Sequence, residues 1–149
     1  MRSPLLQSAS TPATILLVDD NADGIMARRS VLQELGYTVL PARCGREALK
    51  LAAKETFDLV ITDYRMSPVD GLELIQQLRE LNYTKPIILL TGFAENLGLK
   101  PETTGADAVI QKSANEIVNL VRVTKRLLNF PRKPAASQVA STRKRAQSK

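Results

Sequence analysis

The sequence predicts an α/β domain built on a parallel sheet of five strands, and three observations carry that prediction. Short, continuous apolar runs recur along the chain, as expected of strands covered on both faces. Segments of helical spacing alternate with them, the pattern left by crossover connections between parallel strands. The chain has 149 residues, the size of one domain, and 44% of them are hydrophobic, enough to bury a core.

Residues 1–13, rich in Ser, Pro and Thr, read as a flexible leader. Ile15-Leu16-Leu17-Val18 is the first apolar run and so the first strand. A helix follows in which Ala27, Val31 and Leu35 recur at i+4 spacing, and Gly36 is a good stop. Tyr37 to Leu40 is predicted as the second strand and Gly45 to Lys54 as a short helix. Leu59-Val60-Ile61-Thr62 is the third strand, and Leu74, Leu78 and Leu81 line a helix from about Asp70 to Asn82. Ile87-Ile88-Leu89-Leu90 is the fourth strand, followed by a poor helix broken by Gly98 and Pro101. A short strand at Ala108-Val109-Ile110 precedes a last helix that carries Ile117, Val121 and Leu128 and ends before Pro131. The domain therefore covers 14–130, and residues 131–149 lack the apolar residues to order themselves. No internal repeat is visible.

Composition removes several classes of function. With no histidine, the usual zinc sites and every histidine-based catalytic triad are excluded. Cys44 is the single cysteine, so no internal disulfide forms, and it reads as inert. No apolar run approaches the roughly 20 residues of a membrane span, and the leader does not read as a signal peptide. Together these place the chain in the cytoplasm, away from the membrane. The net charge of +6 is concentrated at the ends: residues 131–149 hold six Lys/Arg and no acid, and Arg2 adds another positive charge. The body, 14–130, carries 14 basic and 15 acidic side chains. A basic tail of this kind is usually solvated; at most it makes weak, sequence-independent contact with nucleic acid.

In open α/β sheets, sites form beyond the carboxyl ends of the strands. Here the first strand ends in Asp19-Asp20, the third in Asp63, the fourth in Thr91-Gly92, and the fifth in Lys112. One edge thus receives three carboxylates, a hydroxyl and an amine. Taken singly, the aspartates read as helix caps or turn residues, Thr91 as a loop residue and Lys112 as a solvated lysine. Taken together they form a coherent chemical set. Carboxylates close to one another repel and need a counter-charge, and oxygen ligands of this type suit a hard cation such as Mg2+. Beside Mg2+, Asp63 can act as a carboxylate nucleophile towards an activated phosphoryl group. The cation and the Lys112 ammonium would neutralise the transferring oxygens, to which the Thr91 hydroxyl can donate a hydrogen bond.

Ile15-Leu16-Leu17-Val18-Asp19-Asp20, Ile61-Thr62-Asp63-Tyr64-Arg65-Met66 leading to Asp70-Gly71, Leu90-Thr91-Gly92, and Gly105-Ala106-Asp107 before Lys112 occur in that order. In this the chain resembles the bacterial response-regulator receiver domains, over about residues 14–130. The resemblance implies a flavodoxin-like, doubly wound sheet of strand order 2-1-3-4-5. It implies that Asp19 and Asp20 hold Mg2+ with Asp63, that the backbone carbonyl of Arg65 adds a metal ligand, and that Asp63 is phosphorylated from a phosphohistidine. The partner would be a sensor histidine kinase or a histidine phosphotransfer protein, with an unknown protein downstream. Thr91 and Lys112 would sense the phosphoryl group. Such a domain is not an enzyme beyond self-catalysed transfer to its own aspartate and slow autodephosphorylation. Arg65 and Phe93 stand where the family's residues flank the phosphoryl group and influence its hydrolysis.

Four departures from the family pattern bear on signalling. Ser113, not proline, follows the lysine; Val109 stands at the aromatic switch position; Pro68 falls one residue late; and the fourth helix is short and contains Gly98 and Pro101. A cis bond before a non-proline residue costs roughly 2.5–4 kcal/mol, so Lys112–Ser113 is predicted trans. Ser113 with Glu116 fits a capping box that would start the last helix. The alternative function is a pseudo-receiver, a binding module with the same fold that signals without phosphorylation. An aspartyl phosphatase would want an acid where Arg65 stands.

Overall fold

A computed structural model of the chain describes residues 12–92 and 98–129. Most of the leader, Phe93, and the basic tail lie outside the described residues. Five strands, β1 (Thr14–Val18), β2 (Thr38–Ala42), β3 (Leu59–Asp63), β4 (Ile87–Thr91) and β5 (Ala108–Gln111), form one sheet. Every neighbouring pair is parallel and the order is β2-β1-β3-β4-β5, as the resemblance implies. The helices are α1 (Ala22–Glu34), α2 (Gly45–Lys54), α3 (Gly71–Glu80), α4 (Pro101–Thr104) and α5 (Glu116–Asn129).

Side chains alternate across a strand, and the apolar runs use that alternation to supply two cores. Leu16, Val18, Val60, Ile87 and Leu89 face α2 and α3, where Ala48, Leu74, Ile75 and Leu78 meet them. Ile15, Leu17, Ile61, Ile88 and Leu90 face α1 and α5, where Ile25, Leu32, Leu120 and Val123 meet them. β3 and β4 are buried along their whole length because both faces are covered. Each fully buried aliphatic side chain stabilises the fold by roughly 1.5–3 kcal/mol.

Helix starts follow local capping chemistry. Asn21 caps α1 by accepting from the Gly24 amide at 2.9 Å, so Asp19 and Asp20 are not spent on that role. Asp70 caps α3 through the Glu73 amide at 2.9 Å. The Cys44 sulfur accepts from the Glu47 amide at 3.5 Å and caps α2, a structural use of the lone cysteine. Pro101 opens the single turn of α4, where its missing N–H costs nothing; residues 93–97, in the segment expected as a poor helix, lie outside the described residues.

Three apolar stripes differ from the expected ones. On α1 the buried positions are Ile25, Arg28 and Leu32, whereas Ala27 and Leu35 are exposed, because a charged residue occupies the centre of the inner face. On α3, Leu74, Ile75 and Leu78 are buried, but Leu81, at the C-cap, is 59% exposed. On α5 the inward positions are Leu120, Val123 and Thr124; Ile117, Val121 and Leu128 lie at its margins. Nor does Ser113 cap α5. Its hydroxyl accepts from the Asn115 amide at 3.3 Å and its carbonyl from the Glu116 amide at 3.1 Å, forming a turn before the helix. The Lys112–Ser113 bond is trans as predicted; among the described residues the cis bond is Ser67–Pro68.

The amino edge of the sheet is closed by Arg79. Its guanidinium donates to the carbonyls of Tyr83 and Lys85, each at 2.8 Å, to that of Gly105 at 2.9 Å, and to the Asp107 carboxylate at 3.1 Å. Asp107 in turn accepts from the Ile87 amide at 2.9 Å.

The observed face of α3 is testable by paired truncations. Leu74→Ala should cost about 2–5 kcal/mol in urea unfolding, whereas Leu81→Ala should change stability by less than about 0.5 kcal/mol. Equal losses at the two positions would contradict the burial described for this helix.

Candidate functional site

Four of the five strands, all but β2, deliver a functional group at the carboxyl edge. Asp19 and Asp20 follow β1, and Asp63 and Thr91 are the last residues of β3 and β4. Lys112 follows β5, anchored by its backbone amide to the Thr91 carbonyl at 2.8 Å. Carboxylate oxygens of Asp19, Asp20 and Asp63 all lie within 4.8 Å of one another. Asp19 and Asp63 are 2% and 4% exposed, while Asp20 is open to solvent, so the cluster has a buried floor and an accessible rim. The Lys112 ammonium reaches Asp63 Oδ1 at 2.6 Å. Thr91 is buried beside this pair, at 1% exposure.

A cleft of about 460 Å³ opens beside Asp20, the exposed member of the cluster, and is lined also by Tyr64, Arg65, Met66, Ser67 and Asp70. It places Arg65 next to Asp20, where the sequence located it, with its side chain outward. The loop from β3 is held close by Gly71, whose amide donates to the Tyr64 carbonyl at 2.8 Å. A Cβ on Gly71 would stand 2.5 Å from the Asp63 carbonyl oxygen and 2.9 Å from Tyr64 Cα. Only a residue without a side chain lets α3 begin this near Asp63. All six residues expected at the site are thus found along one edge, and Phe93 lies outside the described residues.

Burial pushes the Asp63 carboxyl above its ordinary value, and Lys112 draws it down without cancelling that effect; the Asp19 charge adds to the rise and Arg28 opposes it. Three carboxylates meet one lysine ammonium and the Arg28 guanidinium, whose charge Glu116 shares, so negative charge is in excess. This is the condition under which an oxygen-lined pocket takes up a hard divalent cation, so the residues fit Mg2+.

Two charged groups join the site that the sequence does not assign to it, Arg28 and Glu116, the latter expected only as a helix-capping residue. Arg28, on the inner face of α1, donates from Nη1 to Asp19 Oδ2 at 2.6 Å and from Nε to Glu116 Oε2 at 2.5 Å. Its side chain is 9% exposed, against 3% for Asp19 and 12% for Glu116. Burial works against the Arg28 cation, but the contacts with Glu116 and Asp19 outweigh it and hold its pKa above the usual value. The available signal was the stripe Ile25-Arg28-Leu32, at i, i+3, i+7 spacing, with a charge in the middle.

Among the described residues no helix is long and apolar enough to cross a membrane. Residues 15–123 match the family model described as "Response regulator receiver domain". The chain is 34% identical over 80 residues to the transcriptional regulatory protein ZraR of Escherichia coli strain K12, covering 54% of this chain but 18% of ZraR. It therefore spans under a fifth of the length of that curated relative. Among solved structures, the chemotaxis protein CheY4 of Vibrio cholerae is 31% identical with a TM-score of 0.72, covering 79% of this chain and 100% of CheY4. The response regulator TrrA of Thermotoga maritima, in complex with Mg2+-BeF, is 34% identical with a TM-score of 0.70, covering 78% of this chain and 99% of TrrA.

The raised Asp63 value has a consequence for stability. A carboxyl whose pKa is higher folded than unfolded favours the folded state while protonated, and that contribution disappears as pH rises through the folded value. With metal chelated, Asp63→Asn should therefore melt at a higher temperature than the parent at neutral pH. The gap should close as pH falls through the Asp63 pKa. A gap that stays constant with pH, or a less stable variant, would show that burial does not dominate at this carboxyl.

Proposed function

The chain belongs to the response regulator receiver domain family, and on that premise we propose that Asp63 accepts a phosphoryl group in a pocket that Asp19 and Asp20 share with Mg2+. Receiver domains are the phosphoryl-accepting modules of two-component and phosphorelay signalling and not enzymes in the ordinary sense. The observation that carries the assignment is the ion pair of Lys112 with Asp63, at 2.6 Å, inside a cluster of carboxylates. Asp63 pairs with the partly exposed Lys112, whereas Asp19 is tied to the buried Arg28 and Asp20 stands open to solvent, which supports Asp63 as the acceptor.

The transfer is an in-line substitution at phosphorus. An Asp63 carboxylate oxygen forms the new O–P bond as the P–N bond of a phosphohistidine breaks, and the departing imidazole takes up a proton from solvent. The sequence contains no histidine, so the donor lies outside it, on a sensor kinase or a phosphotransfer protein. When bound, Mg2+ supplies charge neutralisation at the phosphoryl oxygens. Its ligands would be the carboxylates of Asp19, Asp20 and Asp63 and the Arg65 carbonyl. Lys112, already within contact distance of the acceptor, transfers its hydrogen bond to a phosphoryl oxygen, and the Thr91 hydroxyl donates to another. The acyl phosphate so formed is lost slowly by attack of water, and its contacts with downstream proteins differ from those of the free carboxylate.

Treatment with a small phosphodonor and Mg2+ should add one phosphoryl group by intact-protein mass spectrometry. Asp63→Asn or chelation should abolish the addition, and Lys112→Ala should slow it on the order of 10²-fold. Labelling of Asp63→Asn at the parental rate would move the acceptor elsewhere.

A further inference from the structure

The fold of a receiver pocket does not of itself demand a buried arginine beneath the metal-binding carboxylates, yet this chain builds one in. Arg28 occupies a position of α1 that the helix would otherwise fill with an apolar side chain between Ile25 and Leu32. The cost of burying a guanidinium is several kcal/mol unless partners answer it, and the partners are specific. Nη1 is given to Asp19 Oδ2 and Nε to Glu116 Oε2, on the last helix, 88 residues away in sequence. Asp19 Oδ1 accepts separately from the Asn21 amide at 2.9 Å, so both oxygens of this carboxylate are held.

The surrounding backbone is cut to fit. A Cβ at Gly24 would lie 2.6 Å from Asp19 Oδ2 and 2.9 Å from Arg28 Nη1, so the glycine, four residues before Arg28, leaves the space in which the pair meets. Glu116 is likewise diverted. In place of a capping box with Ser113, its carboxylate turns to Arg28, and α5 begins at Glu116 instead of just after Ser113. Two departures from ordinary helix chemistry, on two helices, thus serve one contact.

We propose that Arg28 is a positioning residue of the phosphoacceptor pocket, one whose charge is divided between Asp19 and Glu116 and so sets how strongly the pocket holds Mg2+. The inference rests on the assignment of Asp19 as a metal ligand. Within the bridge, Glu116 neutralises part of the arginine charge and leaves the Asp19 carboxylate more of its own. Whatever cation enters the pocket competes with Arg28 for Asp19 Oδ2, and by linkage the same competition changes the hold of Arg28 on Glu116 and hence on the start of α5. A route from the pocket to α5 then exists that bypasses the position held here by Val109.

The two ends of the bridge make opposite predictions, which a merely structural role would not. Isothermal titration of the full chain with Mg2+ alone should show Arg28→Met binding more tightly by roughly threefold or more, since a cation beside the ligands is lost. Glu116→Gln should bind more weakly by a comparable factor, because the whole arginine charge then falls on Asp19. In amide spectra of the parent, Mg2+ should shift residues around Asp20 and Arg65 and also Glu116 to Leu120; in both variants the second set should fade while the first remains. Affinity changes of the same sign in the two variants, or α5 shifts that persist in them, would overturn the proposal. If Arg28→Met fails to fold, Glu116→Gln decides alone: unchanged or tighter binding rejects the bridge. A parent that shows neither heat nor shifts with Mg2+ would instead remove the metal assignment and this inference with it.

Discussion

Mutual repulsion among the carboxylates of Asp19, Asp20 and Asp63 is the constraint around which this molecule is organised. Their oxygens stand within 4.8 Å of one another, and two of the three groups are almost wholly removed from water. In such surroundings an uncompensated charge is expensive, so the neighbouring structure answers it from several directions. Lys112 comes from β5, Arg28 from α1, and Asn21 contributes a backbone amide. What is left uncompensated is negative charge, the quantity to which the proposed binding of a divalent cation and of a phosphoryl group would respond. The parallel sheet matters because it is the device that holds like charges together: each carboxylate is fixed to a strand end whose neighbours are hydrogen-bonded on both sides.

Much of this was legible in the residues, for a physical reason. A strand buried on both faces must be apolar throughout, so Leu59 to Thr62 and Ile87 to Leu90 announce themselves and so does the abrupt polarity at their ends. Since strand ends are where parallel sheets expose their groups, locating the strands also located Asp63, Thr91 and Lys112. Helix faces were harder to read. The assumption that α1 buries an apolar stripe pointed to Ala27, Val31 and Leu35, and it failed because the inner face includes a guanidinium whose partners come from β1 and α5. A buried charge is legible only when its distant partner is known. The same lack of a partner made Ser113 and Glu116 look like a local capping pair.

The departures at Val109 and Ser113 acquire a context from this arrangement. Val109 lies against the core on the α2–α3 side, half-buried, and offers no ring to turn between two positions. Ser113 gives a trans connection and a turn that delivers the chain to α5 two residues later than a cap would. The helix that follows is tied to the acidic edge by Glu116 and Arg28, not by the residue next to the lysine. The chain thus has neither the aromatic ring nor the proline after the lysine, and it has instead the Arg28 bridge between Asp19 and Glu116.

The cluster around Arg79 gives the sheet a mechanical asymmetry. Guanidinium contacts to Tyr83, Lys85, Gly105 and Asp107, with Asp107 bound to the Ile87 amide, lock the turns at the amino ends of β4 and β5 together. The domain is in effect a cantilever, clamped at that edge and loaded at the other. The Arg79 contacts stand at the opposite end of the strands from the acidic cluster, so a charge added at the cluster acts first on the loops beside it and least on the clamped turns. A surface meant to be read in every state, such as a permanent tether, belongs at the clamped edge, and one meant to report the load belongs at the free edge.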